Sequence, residues 1–480
     1  MSADAMPARV RWLAFAVLCL GDLMIVLDST IVNVALPTIR ENLGFTEGAL
    51  VWVVNAYLLT FGGFLLLGGR LADIYGQRRL FLIGLSVFTL ASLACGLANG
   101  QTMLIVARAV QGLGAAVVSA VALSLIMALF PEGPGRVRAM GYFGFVMAGG
   151  GSIGVLLGGL LTSAFDWRSI FLVNIPVGIV VFIASRRLLP ADPARTARQK
   201  LDVAGAVTVT GALLLAVYAI IDGETAGWAS AQTLGLLAAA IALLVTFVVI
   251  EARAPAPLAP LGLFRRRNLA TANAVAILWA AAMFAWFFLS ALYLQLVLGY
   301  DPLRVGLAFL PANIIMGAFS YTFSARLVNR FGIARPLAAG LAFASAGLVL
   351  FSFAPADGSF LIHVLPAMLL LGLGAGMAFN PVLLAAMSDV APDQSGLASG
   401  LVNTAFMMGG SLGLAILASI AASRTGGMLE AGAAAPEALA AGYNAAFLAG
   451  AVCAALAAAL AIGLLRVSAP PAEGAAPAAH

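Results

Sequence analysis

The feature that most restricts this chain is a series of apolar runs, each about twenty residues long and separated by short polar turns. A run of that length crosses roughly 30 Å of hydrocarbon as an α-helix. Inside lipid, every backbone N–H and C=O must be satisfied within the protein, which leaves helices and closed barrels as the spanning structures. Fourteen runs can be placed, at about 12–36, 50–69, 80–98, 103–130, 139–163, 169–187, 203–221, 233–250, 269–290, 305–325, 335–354, 362–385, 396–420 and 443–465. The expected fold class is therefore an all-α polytopic membrane protein with 14 transmembrane helices. Composition agrees, since 62% of the 480 residues are hydrophobic and 9% are charged, against about 25% charged in a soluble domain.

An even number of spans puts both termini on one side. Lys and Arg accumulate in short cytoplasmic loops, and placing the termini in the cytoplasm assigns twenty of the 25 Lys and Arg residues there. Arg40, Arg168, Arg304 and Arg424 fall outside, and Arg108 lies within a span. The expected location is the cell inner (plasma) membrane, multi-pass. The net charge of +5 is then a product of topology, and no nucleic-acid partner is expected. Arg9 and Arg11 before an apolar run resemble a signal peptide, but that run is too long and carries Asp28 and Asn33, so it reads as an uncleaved first span. Cys19, Cys95 and Cys453 all fall in apolar segments and are expected to be buried thiols without a disulfide. His363 and His480 are too isolated to form a ligand set. No metal and no cofactor are expected, no catalytic constellation stands out, and the chain is not expected to be an enzyme. It contains no phosphate-binding Gly-x-x-x-x-Gly-Lys-Ser/Thr loop, so an ion gradient or the substrate's own gradient must drive any transport.

A weak repeat divides the chain. Gly69-Arg70-Leu71-Ala72-Asp73-Ile74-Tyr75-Gly76 follows the second run, and Ala325-Arg326-Leu327-Val328-Asn329-Arg330-Phe331-Gly332 follows the tenth. Internal symmetry of this kind is common in transporters. It pairs runs one to six (1–187) with runs nine to fourteen (269–466), leaving 188–268 as an insert of two spans with cytoplasmic linkers. Residues 467–480, rich in Ala and Pro, are expected to form a disordered tail.

Two carboxylates, Asp22 and Asp28, lie in the first run, where a charge near the bilayer centre costs roughly 2.5–3.5 kcal/mol even on lenient scales. At 3.6 residues per turn Asp22, Ser29 and Asn33 share a helix face, and Asp28 lies about 120° away. Arg108, Gln111, Ala115 and Ser119 share a face of the fourth run. Burial and a neighbouring cation act in opposite senses on the proton affinity of a carboxyl group, so an Asp28–Arg108 pair can be poised for proton exchange, or can be a fixed structural ion pair. Asp22 lies near enough to the end of its run to snorkel. In the turn Gly69–Arg79, Asp73 can cap a neighbouring helix end, whereas Arg78 and Arg79 also satisfy the charge bias of the loops. The fifth run carries Gly141, Gly144, Gly149, Gly150, Gly151, Gly154, Gly158 and Gly159, which permit bending or simply close helix packing. Runs nine and ten are aromatic (Trp279, Phe284, Trp286, Phe287, Phe288, Tyr293, Phe309, Phe319, Tyr321, Phe323), as suits an interfacial belt or the wall of an apolar cavity. Ser399, Asn403, Met407 and Gly410 share a face of run thirteen, and Met suits an adaptable wall.

Leu27-Asp28-Ser29-Thr30-Ile31-Val32-Asn33-Val34-Ala35-Leu36-Pro37 resembles the first-span signature of the fourteen-span drug:proton antiporters of the major facilitator superfamily. Gly69–Arg79 is similar to the superfamily's loop motif. Arg108-x-x-Gln111-Gly112-x-Gly114-Ala115 is similar to its fourth-span motif, and the fifth-run glycines to its antiporter motif. Trp167–Pro176 and Tyr293–Tyr300 also fit. The chain has Val155 where that family usually has Pro after the third Gly, and Phe406-Met407 where Arg-Gln is frequent.

The resemblance implies two six-helix bundles rocking about a central cavity, with Asp28 and Arg108 in proton coupling; with no acid in runs nine to fourteen, coupling rests on Asp28 and Asp22. The expected gating residues are Gly69, Asp73, Gly76, Arg78, Arg79, Gly150, Gly154 and Gly158. The expected substrate-lining set is Asn33, Asn55, Tyr57, Gln111, Ser119, Trp286, Tyr293, Asn313, Asn403 and Met407. With no acid in runs nine to fourteen, neutral or monocationic compounds are the expected cargo. The expected function is proton-coupled multidrug efflux by a monomer whose partners are a small-molecule substrate, protons and the bilayer. A dedicated metabolite or antibiotic exporter, a proton symporter of the same fold, and a non-transporting receptor or scaffold are the alternatives.

Overall fold

The computed structural model describes residues 6–130, 134–190, 192, 202–255, 257–390 and 394–466. Arg195, Arg198, Lys200 and the tail from 467 lie outside that set, as do the side-chain positions of Asp73, Gly141, Gly144, Gly149, Tyr321 and Ala325.

The first group of helices is α1 (Ala8–Leu43), α2 (Glu47–Tyr75), α3 (Gln77–Gly96), α4 (Gln101–Leu129), α5 (Pro134–Ala164), the short α6 (Ser169–Leu172) and α7 (Asn174–Leu188). Next come α8 (Val203–Ala226) and α9 (Ala231–Arg253). The last group is α10 (Arg267–Leu292), α11 (Pro302–Ala318), α12 (Ser324–Phe331), α13 (Ala334–Phe351), α14 (Leu365–Met387), α15 (Ser395–Glu430) and α16 (Ala435–Leu464). Local chemistry sets several boundaries. The N–H of Gly44, at φ 69°, closes α1 on the Arg40 carbonyl. Thr46 caps α2 by accepting from the Ala49 N–H, Ser230 caps α9, and Asp301 caps α11 ahead of Pro302, each satisfying an otherwise orphaned amide. Gly76, at φ 101°, makes the tight corner between α2 and α3, a conformation that L side chains avoid.

Among the described residues twelve helical stretches are long and apolar enough to cross a membrane, and two further apolar helices, Ile153–Ala164 and Pro302–Ala318, are shorter. Twelve of the fourteen runs read from sequence thus correspond to full-length stretches, and the fifth and tenth to these two shorter helices. The first short piece belongs to α5, which runs 31 residues as a helix. The second is α11, which is separated from α12 by a π-helical turn at Phe319–Phe323.

Contacts fall into two families. In the first, α4 packs on α1, α2 and α3, while α1 packs on α5 and α7. In the second, α14 packs on α10, α11 and α13, while α10 packs on α15 and α16. The families meet chiefly along α2–α15 and α5–α11. At the end away from the termini, Gln295 donates to the Val34 carbonyl at 3.0 Å, and the Leu303 N–H donates to Ser163 at 3.1 Å. Helix α8 lies on α2 and α15, and α9 lies on α8. Leu59, Val217 and Ala415 form a small core at that junction. Cys19 and Cys95 are buried, and Cys453 is only half-buried.

Candidate functional site

The site lies between α1, α2, α3, α4 and α7. Asp28 projects from α1 with one carboxylate oxygen 2.5 Å from Nη1 of Arg108 on α4, and both side chains are fully buried. The other oxygen accepts from Nε2 of Gln111 at 2.8 Å and from Nδ2 of Asn174 at 2.9 Å. Gln111 returns its own oxygen to Arg108 Nη1 at 2.6 Å and donates to the Ser92 hydroxyl at 2.8 Å. Nε of Arg108 donates to the Val53 carbonyl at 2.9 Å. The guanidinium carbon lies 4.3 Å from the ring centre of Tyr57 and 5.6 Å from that of Phe171, aromatic neighbours that favour a weakly hydrated cation. Among the described residues Nη2 of Arg108 is buried without a hydrogen-bond partner.

Helical spacing explains how the group assembles. α1 and α4 run antiparallel, so the polar face of α4 read from sequence meets α1 twice. Arg108 and Gln111 meet Asp28, and further along Ser119 donates to Asp22. Asp22 and Asp28 are both buried, so neither snorkels. In a low-dielectric interior such a pair is tolerated only when its remaining hydrogen-bonding capacity is met, and Gln111, Asn174 and the Val53 carbonyl meet most of it here.

The structure therefore brings together Asp28, Arg108, Gln111 and Tyr57, and separately Asp22 and Ser119. It scatters the other expected residues. Asn33 donates to the Thr30 carbonyl of its own helix at 3.2 Å. Asn55 crosses between the helix families to donate to the Ser411 carbonyl at 3.1 Å, and Met407 lies against Gly62 on the same seam. Asn403 is half-buried on α15. Nε1 of Trp286 points at Met368 Sδ, 3.3 Å away. The Tyr293 hydroxyl donates to the Pro355 carbonyl at 2.6 Å. Asn313 is buried, and among the described residues neither amide atom has a hydrogen-bond partner.

Most of the expected gating residues have packing partners. A Cβ at Gly150, Gly154 or Gly158 would collide with Leu23, Thr30 and the Ile31 carbonyl respectively, so these glycines seat α5 on the Asp28-bearing stretch of α1. Gly76 faces Asp192, whose carboxylate accepts from the Arg78 and Arg79 amides at 2.9 and 3.0 Å. The Arg78 guanidinium donates to the Arg186 carbonyl. A Cβ at Gly69 would make only an ordinary van der Waals contact, with the Ala120 side chain.

Sequence reasoning missed Ser92 and Asn174. Asn174 lies within the Trp167–Pro176 stretch already singled out, at the first residue of α7, whereas Ser92 sits mid-helix in α3 with no pattern to distinguish it.

An all-helical polytopic membrane protein made of two like helix families, with an ion pair sealed inside one of them, is as a class a secondary transporter. The chain belongs to the Major Facilitator Superfamily, whose sequence model matches residues 18–414. The puromycin resistance protein pur8 of Streptomyces alboniger is 38% identical over 425 residues, 88% of this chain and 84% of that protein. The cephamycin export protein CmcT of Amycolatopsis lactamdurans is 39% identical over 438 residues, 91% and 88% of the two chains. The multidrug resistance protein Stp of Mycobacterium tuberculosis is 37% identical over 422 residues, 88% and 78%. In fold, the chain is similar to a bacterial homologue of the human lysosomal transporter Spinster, solved inward-facing and unoccupied, with a TM-score of 0.66 at 16% identity over 95% and 97% of the two chains.

Proposed function

We propose that this protein is a proton-coupled exporter of hydrophobic or cationic small molecules that works by alternating access. The observation that carries the reading is the carboxylate of Asp28, which is fully buried yet held by three side-chain donors from α4 and α7. Protonation of Asp28 removes its charge and weakens its hold on Arg108. The guanidinium then keeps the Gln111 oxygen and the Val53 carbonyl, both already within hydrogen-bond reach. One proton thereby changes the grip of α1 on α4 and α7, while α5 follows α1 through its glycine contacts. Asp22 with Ser119 is a second protonatable position on the same two helices.

In this reading α5 and the α11–α12 stretch count as spans, giving fourteen. The bundles are 1–187 and 269–466, with 188–268 inserted between them. The termini lie in the cytoplasm, so the Gln295–Val34 and Leu303–Ser163 hydrogen bonds lie at the outer end. The unpartnered amide of Asn313 and the aromatic cluster around Trp286 supply substrate contacts in the second bundle. A narrower reading, dedicated export of one antibiotic, draws on relatives named for puromycin resistance and cephamycin export. In proteoliposomes carrying a pH gradient, Asp28→Asn, which keeps the side chain's shape but removes its titratable oxygen, is expected to reduce driven export to the leak of empty liposomes. Full export by the folded variant would overturn the coupling. Export of several unrelated compounds by the wild type would exclude the narrower reading.

A further inference from the structure

Arg424 is one of four cations that the sequence places on the outer side, and the transport reading leaves it without a role. It lines a cleft of about 780 Å³ between α8, α15 and α16. Among the described residues no carboxylate pairs with it. The cleft changes character along its length. Arg424 and the exposed Ser423 stand at one end, and Ile416, Ile420 and Ile220 line the rest. From Ile416 to Arg424 is eight residues of helix, about 12 Å at 1.5 Å per residue. Between them Ser419 lines the cleft, 8% exposed, and its buried hydroxyl has no hydrogen-bond partner among the described residues. Trp228, half-exposed at the rim, has the side chain that prefers the headgroup level of a bilayer.

We propose that this cleft is a binding site for an anionic phospholipid of the adjoining leaflet. The lipid phosphate sits against Arg424 and Ser423, the glycerol ester oxygens accept from Ser419, and one acyl chain lies along the isoleucines. The polarity gradient is that of a lipid standing in its own leaflet: the charge lies at the end of the span and the hydrocarbon toward its middle. A cation left unpaired beside an apolar trough matches an anionic head joined to an apolar tail, and matches neither a wholly apolar compound nor a cationic one. The site lies where α8 meets α15, outside the Asp28 network, and it stands whether or not proton coupling does.

The test uses the full chain in nanodiscs with photoactivatable phosphatidylglycerol or phosphatidylcholine, the cross-links being mapped by mass spectrometry. Wild-type protein is expected to be labelled on α15 and α8 by the anionic lipid in preference to the zwitterionic one. Arg424→Gln, at an exposed position that leaves folding intact, is expected to lower anionic labelling about fivefold, the worth of one Arg near an anionic surface. Ser419→Leu, which fills the trough, lowers labelling by both lipids. Equal labelling by both lipids in the wild type, or anionic labelling that survives Arg424→Gln, overturns the proposal. So does loss of the label when millimolar inorganic phosphate is present before irradiation, which would make the site one for the free anion.

Discussion

The Arg108–Asp28 contact and the Trp286–Met368 contact occupy equivalent places in the two helix families. On α4, Gly112 packs on α2 and Gly114 packs on α3. On α14, Gly372 packs on α11 and Gly374 packs on α13. Arg108 stands four residues before the first glycine of its pair, and Met368 does the same in its own. Each reaches a partner on the leading helix of its family, Asp28 on α1 or Trp286 on α10. An aromatic ring from the following helix flanks each, Tyr57 beside Arg108 and Phe309 beside Trp286. One frame thus holds an ion pair in one half and a thioether against an indole in the other. The backbone approach is a property of the frame, and the chemistry is a property of two side chains.

The largest effect should come from Arg108→Met, which puts the residue of the second half into the first. Removing one member of a buried pair leaves Asp28 uncompensated, at about 3–5 kcal/mol, and thermal unfolding in detergent should show it. Adding Asp28→Leu should return most of that stability, since apolar replacement of a whole buried pair is often neutral or better, while driven export stays absent. If the double variant is no more stable than the single one, the equivalence of the two places fails. Met368→Ala should lose roughly 2–4 kcal/mol by cavity formation with no change in the pH dependence of transport. A shift in that dependence would mean that both halves carry the coupling. Gly114→Ala and Gly374→Ala should destabilise alike, by about 1–3 kcal/mol, because each new Cβ would stand 2.5 Å from backbone. Unequal losses would show that only one half is tightly framed. Trp286→Phe, which removes the N–H pointing at Met368 and part of a fully buried ring, should cost about 1–2 kcal/mol.

Much of the architecture could be read from residue order because lipid permits so few backbones. The charged pair was visible for the same reason, since a lone Arg and an Asp in apolar runs have few places to go. Ser92 and Asn174 stayed hidden because a hydroxyl or amide in a helix can satisfy itself locally, as Ser92 also does on the Phe88 carbonyl, so its presence signals nothing about distant partners. The glycines of α5 read equally well as hinge or as packing surface, and only the distances to Leu23, Thr30 and Ile31 show which neighbour they admit. The division of 302–331 by a π-helical turn was likewise invisible, because apolar composition runs straight through it.

The α8–α9 pair carries a last consequence. Helix α8 rests on one helix from each family, and α9, which packs on α8, leaves most of its apolar residues exposed or half-buried. In the alternating-access motion proposed above, a paddle mounted on the seam of the two families, with a bare outer blade, need not break protein contacts; it slides through fluid hydrocarbon instead. Substitutions among apolar residues on the blade should pass unnoticed, whereas shortening it would change how the seam meets the bilayer.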